Sequence, residues 1–159
     1  MKQKDLVTMR GTMNARAGAD HPTKIQLFDG RFDTGYKITR FKIMPYDVDN
    51  TNVRNIAAKL SISPNVDTAQ SFDFNDNREI GWSYFGFDAN GFLTIGEEVI
   101  DRDNIIIEDL WIFGWEIAAG TSTLFNYYIE AERVELTDAM GAVTMARNTA
   151  SRSGQTWTP

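Results

Sequence analysis

The chain has 159 residues, no cysteine and a formal net charge of −6 at pH 7. This length favours a single domain with a core large enough to fold without cross-links. The lack of cysteine excludes disulfide scaffolds and cysteine metal sites, and no run approaches the ~18 consecutive apolar residues of a transmembrane helix. The basic N-terminus has no apolar run behind it, so we expect no signal peptide.

The two ends of the chain differ from its middle. Residues 1–23 and 147–159 are polar and lack a strand or helix period, and each carries a net charge of +2, which leaves −10 on the residues between them. Segments of this composition bury too little apolar surface to offset the entropy lost on ordering. We therefore expect terminal arms that become ordered on a partner. Cationic arms on an acidic body favour a neighbouring copy as that partner.

The first half of the middle has the pattern of β-strands. Alternating apolar residues predict strands over residues 24–28, 36–44 and 54–63. Ile38 and Phe41 fall on opposite faces of a regular strand, which indicates either a β-bulge near Arg40 or burial on both sides. In the third strand the apolar side chains share one face, so we expect that strand to be half-buried.

The second half of the middle continues the pattern. Further strands are predicted over residues 78–87, 92–95, 105–116 and 124–136. Alternation places Ile80, Trp82 and Tyr84 on one face. The run 105–116 is apolar on both faces, which is typical of a central strand that is covered on both sides. Thr137 and Asp138 are good N-cap residues for one short helix that ends near Met145 or Ala146.

These elements together predict the fold class and the domain organisation. Seven or eight strands with turn signals between them, and no long helical period, indicate an all-β antiparallel β-sandwich with jelly-roll-like wiring. The expected organisation is an N-terminal arm over residues 1–23, a sandwich core over 24–136, and a short helix or turn plus a tail over 137–159.

Acidic pairs are the first candidates for chemistry. Glu97-Glu98 and Glu108-Asp109 are adjacent pairs, and neighbouring carboxylates on a strand point to opposite faces. They are therefore poor candidates for the paired carboxylates of a glycosidase or for a calcium cluster, and we interpret them as part of a solvated loop or hairpin end. His21 is the only histidine, so zinc pairs and a Ser-His-Asp site are disfavoured. We predict no enzyme activity, no cofactor and no metal.

Residues 47–52 and the aromatic side chains leave one alternative open. Asp47, Asp49 and Asn52 begin like a calcium loop, but the sixth position is not glycine and the twelfth is Ala58. A polar turn is the preferred interpretation. A carbohydrate-binding module with one structural cation is the alternative, provided that some aromatic side chains are exposed for sugar stacking; alternation predicts that most of them are core.

Trp157 lies in the polar tail, where no local core can bury it, and a tryptophan there suits an anchor in a partner's pocket. At the N-terminus, we expect the Met9–Met13 region to fill an apolar pocket of a partner in the same way. The predicted protein-contact residues are the arm cations and this tryptophan: Arg10, Arg16, Arg147, Arg152 and Trp157.

Three segments, residues 32–38, 76–82 and 107–110, resemble segments of small structural proteins of marine bacteriophage particles. The likeness covers roughly residues 24–136 and carries no functional residue. It implies a capsid decoration protein, a minor capsid protein or a spike base, located in the virion. The implied partners are copies of the chain itself and other capsid proteins. Nucleic acid is disfavoured because the acidic body would repel phosphates, and no membrane is expected.

Overall fold

The computed structural model describes residues 5–15, 22–27, 30–47, 54–66, 70–87, 94–117 and 123–152. These residues form eight strands and one helix. In chain order they are β1 (Leu6–Ala15), β2 (Thr23–Ile25), β3 (Thr34–Pro45), β4 (Arg54–Ser61), β5 (Glu79–Phe87), β6 (Thr94–Ile100), β7 (Leu110–Glu116), β8 (Thr123–Glu135) and α1 (Asp138–Arg152).

The strands form two antiparallel sheets. A three-stranded sheet has the order β1-β8-β3, and a five-stranded sheet has the order β2-β7-β4-β5-β6. The predicted all-β antiparallel class with two packed sheets is confirmed, and so is the expected number of strands for the part of the chain that the structure describes. The apolar sides of both sheets meet in one core, whose largest fully buried side chains include Phe41, Phe125 and Leu110.

The N-terminal segment differs from the prediction. Leu6–Ala15 forms β1, which pairs with β8 from Leu6↔Glu132 to Ala15↔Thr123 without a register shift. The expectation that residues 1–23 contain no strand is therefore wrong for this stretch. Met13 is buried in the core of its own subunit, so the expectation that it fills a partner's pocket is wrong, whereas Met9 packs against the same core but stays half-buried.

The C-terminal helix is confirmed, but it is longer than predicted. It begins at Asp138 and ends at Arg152, and the Thr137 hydroxyl accepts a hydrogen bond from the Met140 N–H at 3.3 Å, as expected for an N-cap. Arg147 therefore lies in a helix and not in a tail. Within the described ranges, no helix is long and apolar enough to cross a membrane.

Two β-bulges decide which side chains face the core. The predicted irregularity near Arg40 is confirmed, because the β3–β8 register shifts between Ile38 and Arg40. The second bulge is in β5: Leu60 of β4 pairs with Gly81 and the next residue, Ser61, pairs with Glu79, so Ile80 has no partner on β4. Ile80 consequently lies in the core between the sheets, whereas Tyr84 packs in a second cluster on the opposite face. The prediction of one shared face for the apolar residues of β5 is wrong for this reason.

The second cluster covers the outer side of the five-stranded sheet. Ala57 of β4 packs there with Val66, Phe113 and Trp115. β4 is therefore buried on both faces. The prediction that only one of its faces is buried is wrong. β7 is likewise covered on both faces, as expected for a central strand, although it begins at Leu110 and Ile106 forms only an isolated bridge with Tyr36.

Candidate functional site

A buried ion pair lies on the outer side of the five-stranded sheet. Lys59 Nζ donates a hydrogen bond to Glu79 Oε1 at 2.5 Å, and both side chains are fully buried. The other carboxylate oxygen accepts from Trp82 Nε1 at 2.8 Å and from the Asp73 N–H at 3.0 Å. Lys59 also donates to the Ser71 carbonyl at 3.1 Å. This network joins β4, β5 and the loop before β5, and its burial closes it to a substrate, so its role is to hold these three segments together.

The loop that covers this pair is fixed by aromatic and charged contacts. Phe72 packs edge-on against Trp115 and Phe74 against Trp82, with ring centroids 5.5 and 4.4 Å apart. The Arg78 guanidinium binds the Asp76 carboxylate through two hydrogen bonds, of 2.8 and 2.7 Å. Sequence analysis missed this arrangement. The half-buried strand predicted over residues 54–63 implies that its second face, which carries Lys59, is in contact with solvent. The one sequence signal for a pair is Glu79 in the next strand.

The carboxylate of Asp76 should make stability depend on pH. The hydrogen bond from the Arg78 side chain lowers the pKa of Asp76 in the folded protein. A depressed folded-state pKa contributes stability above the unfolded pKa of about 3.9 that is lost as the pH falls through the folded value. We expect Asp76→Asn to lower the free energy of unfolding by about 1–2 kcal/mol at pH 7. The measurement is urea denaturation at pH 7 and at pH 3, and an equal deficit at both pH values would contradict it.

One member of each predicted acidic pair, Glu98 and Asp109, is an acceptor within the fold and not a solvated side chain. Glu98 accepts the Phe41 N–H at 2.9 Å, and Asp109 accepts the Leu27 N–H and binds Lys24 at 2.7 Å. Among the described residues, no group of three or more His, Cys, Asp or Glu side chains could hold a metal ion. Asp47 is exposed, whereas Asp49, Asn52 and His21 lie outside the described residues. The calcium-loop alternative for residues 47–52 thus stays a prediction.

The tryptophans bear on the carbohydrate alternative. Trp82 and Trp115 are 6% and 3% exposed and cannot stack on a sugar. Trp111 is half-buried. A cleft of about 310 Å³ lies between β3 and the β5–β6 pair, with Phe85 in its lining. Tyr84 and the exposed Glu97 are cross-strand neighbours on the other face of the five-stranded sheet.

The predicted contact residues fall into two groups. Arg10 is exposed on β1 opposite Tyr128 of β8, which is itself opposite Lys42 of β3. Arg147 is exposed on α1, and Arg152 is the last residue of that helix. Arg16 and Trp157 lie outside the described residues. The structure thus presents Arg10 and Arg147 from a strand and a helix of the chain's own fold, and does not bring them together with one another.

The outer face of the three-stranded sheet, which we call the sheet face, combines charge with apolar surface. Its basic row is Arg10 and Lys42, on either side of Tyr128. A hydrogen bond to Glu130 raises the pKa of Tyr128. Next to this row are three exposed apolar side chains, Met44, Tyr46 and Leu124, and the Tyr46 N–H donates to the Leu124 carbonyl at 3.1 Å. Exposed apolar groups in a cluster are typical of interaction surfaces.

A second exposed apolar surface, the helix patch, lies at α1. Phe32, Met140 and Val143 are each more than half exposed. A groove of about 510 Å³ is lined by Phe32, Ala142, Met145 and neighbouring residues. The helix is held against its own subunit, because Asn148 Nδ2 donates to the Ile105 carbonyl at 3.2 Å. Gly141 lies so close to the Phe32 carbonyl that a Cβ there would approach its oxygen to 2.8 Å.

Comparison with protein-family models and with curated proteins finds no match for this chain.

Proposed function

We propose that this chain is a structural component of a phage particle, in the class of capsid decoration, cement and minor capsid proteins. It assembles with copies of itself and with other capsid proteins through the sheet face, the helix patch and its terminal segments. The observation that carries this proposal is the order of the strands, because viral capsid domains frequently have jelly-roll wiring.

In a jelly roll, a long hairpin pairs strand 1 with 8, 2 with 7, 3 with 6 and 4 with 5, and is then wrapped into two sheets. Here β1 pairs with β8, β2 with β7 and β4 with β5. β6 hydrogen-bonds to β5 and lies beside β3. At this place the Phe41 N–H donates to the Glu98 carboxylate, which replaces a backbone partner. These pairings support jelly-roll wiring with its sixth strand moved to the five-stranded sheet.

The exposed apolar surfaces support an assembly role for this wiring. Lectin domains share jelly-roll folds, so wiring alone does not separate a capsid component from a sugar-binding module. Met44 and Tyr46 are each 59% exposed, as is Val143 on the helix patch. Surfaces of this kind are suited to large, partly apolar partners such as neighbouring capsid proteins.

The test compares two charge insertions in the full chain. We expect Met44→Glu on the sheet face to reduce incorporation into source particles by about tenfold or more, since it forfeits the burial of one methionine side chain, ~1.5–3 kcal/mol. Asn77→Glu adds the same charge at an exposed turn and should leave incorporation unchanged. The measurement is the amount of protein that sediments with particles. Equal incorporation of both variants would contradict a role for the sheet face.

A carbohydrate-binding module is the second candidate. The cross-strand pair of Tyr84 and the exposed Glu97 on the outer side of the five-stranded sheet favours it, since sugars are bound by aromatic faces together with carboxylates. Binding on a glycan array that is lost in Glu97→Gln would support this reading. No binding to the array would remove it.

A further inference from the structure

The outer edge of β1 is the feature on which this inference depends. β1 is ten residues long and keeps an unbroken register with β8. Among the described residues, β8 is its only hydrogen-bonding partner, so β1 is an edge strand of the three-stranded sheet. A long, regular edge strand is a template for pairing with another strand.

The backbone of β1 alternates between β8 and this edge. The Arg133 N–H donates to the Asp5 carbonyl at 2.9 Å, which makes position 5 one that bonds to β8. Bonded and outward positions alternate along an antiparallel strand. The even-numbered residues of β1, including Thr8, Arg10 and Thr12, therefore direct their N–H and C=O groups away from β8.

The other sheet edges in the described part of the chain are shorter, charged or covered. On β3, Tyr36 exchanges two backbone hydrogen bonds of 2.8 Å with Ile106, and the Phe41 N–H is bound by Glu98. β2 has three residues, and β6 carries two adjacent glutamates. These are the usual ways in which proteins prevent unwanted edge pairing. β1 has no proline and no bulge, and Arg10 is its one charged residue.

We propose that β1 pairs antiparallel with β1 of a second copy across a two-fold axis, which joins two three-stranded sheets into one. Val7 and Met9 point inward but stay half-buried at the edge, and the same residues of a second copy would cover them. In the register of this contact, Arg10 of one copy lies opposite Thr8 or Thr12 of the other, so that two guanidinium groups do not face each other directly. Both registers pair even-numbered residues with even-numbered residues, whose outward N–H and C=O groups can then bond across the contact.

This inference deepens the proposed function, because it names the partner and the contact. It nevertheless concerns the isolated chain and needs no particle. A monomeric chain that joins particles would contradict the inference and leave the proposed function standing. A dimeric chain that does not join particles would contradict the proposed function and leave the inference standing.

The test removes one outward N–H from β1. Thr12→Pro deletes a donor that points away from β8, and proline is accepted on the outer side of edge strands. We expect the dimer dissociation constant to rise by about tenfold or more, since each copy loses a bond at the contact. Thr12→Val is the matched control: it loses the same hydroxyl bond to Asn126 but keeps the N–H, so its dissociation constant should stay unchanged.

Sedimentation equilibrium of the full chain gives the dissociation constants, and circular dichroism verifies the fold of each variant. Amide exchange at Thr8 and Arg10 should slow as the protein concentration rises. A wild-type chain that is monomeric at high micromolar concentration would overturn the proposal. So would a Thr12→Pro variant that dimerises as tightly as wild type, or dimers in which these amides exchange freely.

Discussion

Replacement of Glu79 by alanine should lower the free energy of unfolding by about 3–5 kcal/mol. The substitution leaves the Lys59 ammonium fully buried without its carboxylate. It also removes the acceptor for the Trp82 indole N–H and for the Asp73 N–H. Unpaired buried groups carry their full desolvation penalty, which is why the loss of one partner costs far more than the pair contributes. Urea denaturation followed by tryptophan fluorescence measures the change.

The control removes both charges. A Lys59→Met and Glu79→Leu double variant keeps similar volume without a buried charge, and such exchanges are often neutral. We expect it to be clearly more stable than Glu79→Ala, although the two N–H donors still lack their acceptor. If the single variant unfolds within 1 kcal/mol of wild type, the pair is not buried in solution as described.

The second large effect is expected at Gly114 of β7. A Cβ at this position would overlap the Phe125 ring, which is completely buried in the core between the sheets. Met13 Cε lies 3.5 Å from the same point, so the ring has little room to move. Gly114→Ala should therefore cost about 1–3 kcal/mol through overpacking, measured as a shift of the urea midpoint.

Gly96 of β6 provides the matched control. It is exposed, and a Cβ there would meet no atom closer than 4.0 Å, from Phe85. Gly96→Ala should be neutral or should stabilise by about 0.5–1 kcal/mol, because alanine loses less conformational freedom on folding. A Gly114→Ala, Phe125→Leu double variant should recover part of the lost stability. Equal stability of the two single alanine variants would contradict the close packing of the sheets at this point.

The position of β1 changes how an assembly role can be tested. A truncation of the first 20 residues would remove a strand whose inner side chains pack against the core, and would expose one side of β8. Loss of incorporation by such a variant would report unfolding and not a missing contact. Deletion of residues 153–159 removes Trp157 and leaves every described strand and the described helix intact in sequence.

Much of the fold follows from local sequence pattern. Alternation in β3, β5 and β8, and the cap at Thr137, indicated the strands and the helix before any tertiary contact was known. The bulge near Arg40 was one of two alternatives that the sequence indicated, because the apolar side chains of β3 change face there. These features are local, since a side chain's face and a helix start depend on the few residues around them.

Tertiary structure decided the rest. β1 was missed although Val7, Met9 and Met13 alternate with polar residues, because Gly11 and Ala15 leave few large apolar side chains in the pattern. Pairing with the distant β8 completes the strand. The bulge at Ile80 reverses the faces of β5, and no local pattern shows it. Burial of Lys59 required a carboxylate, two indole rings and a covering loop to meet. Each of these depends on contacts between residues that are far apart in sequence, whose free energy outweighs the local preference for solvent.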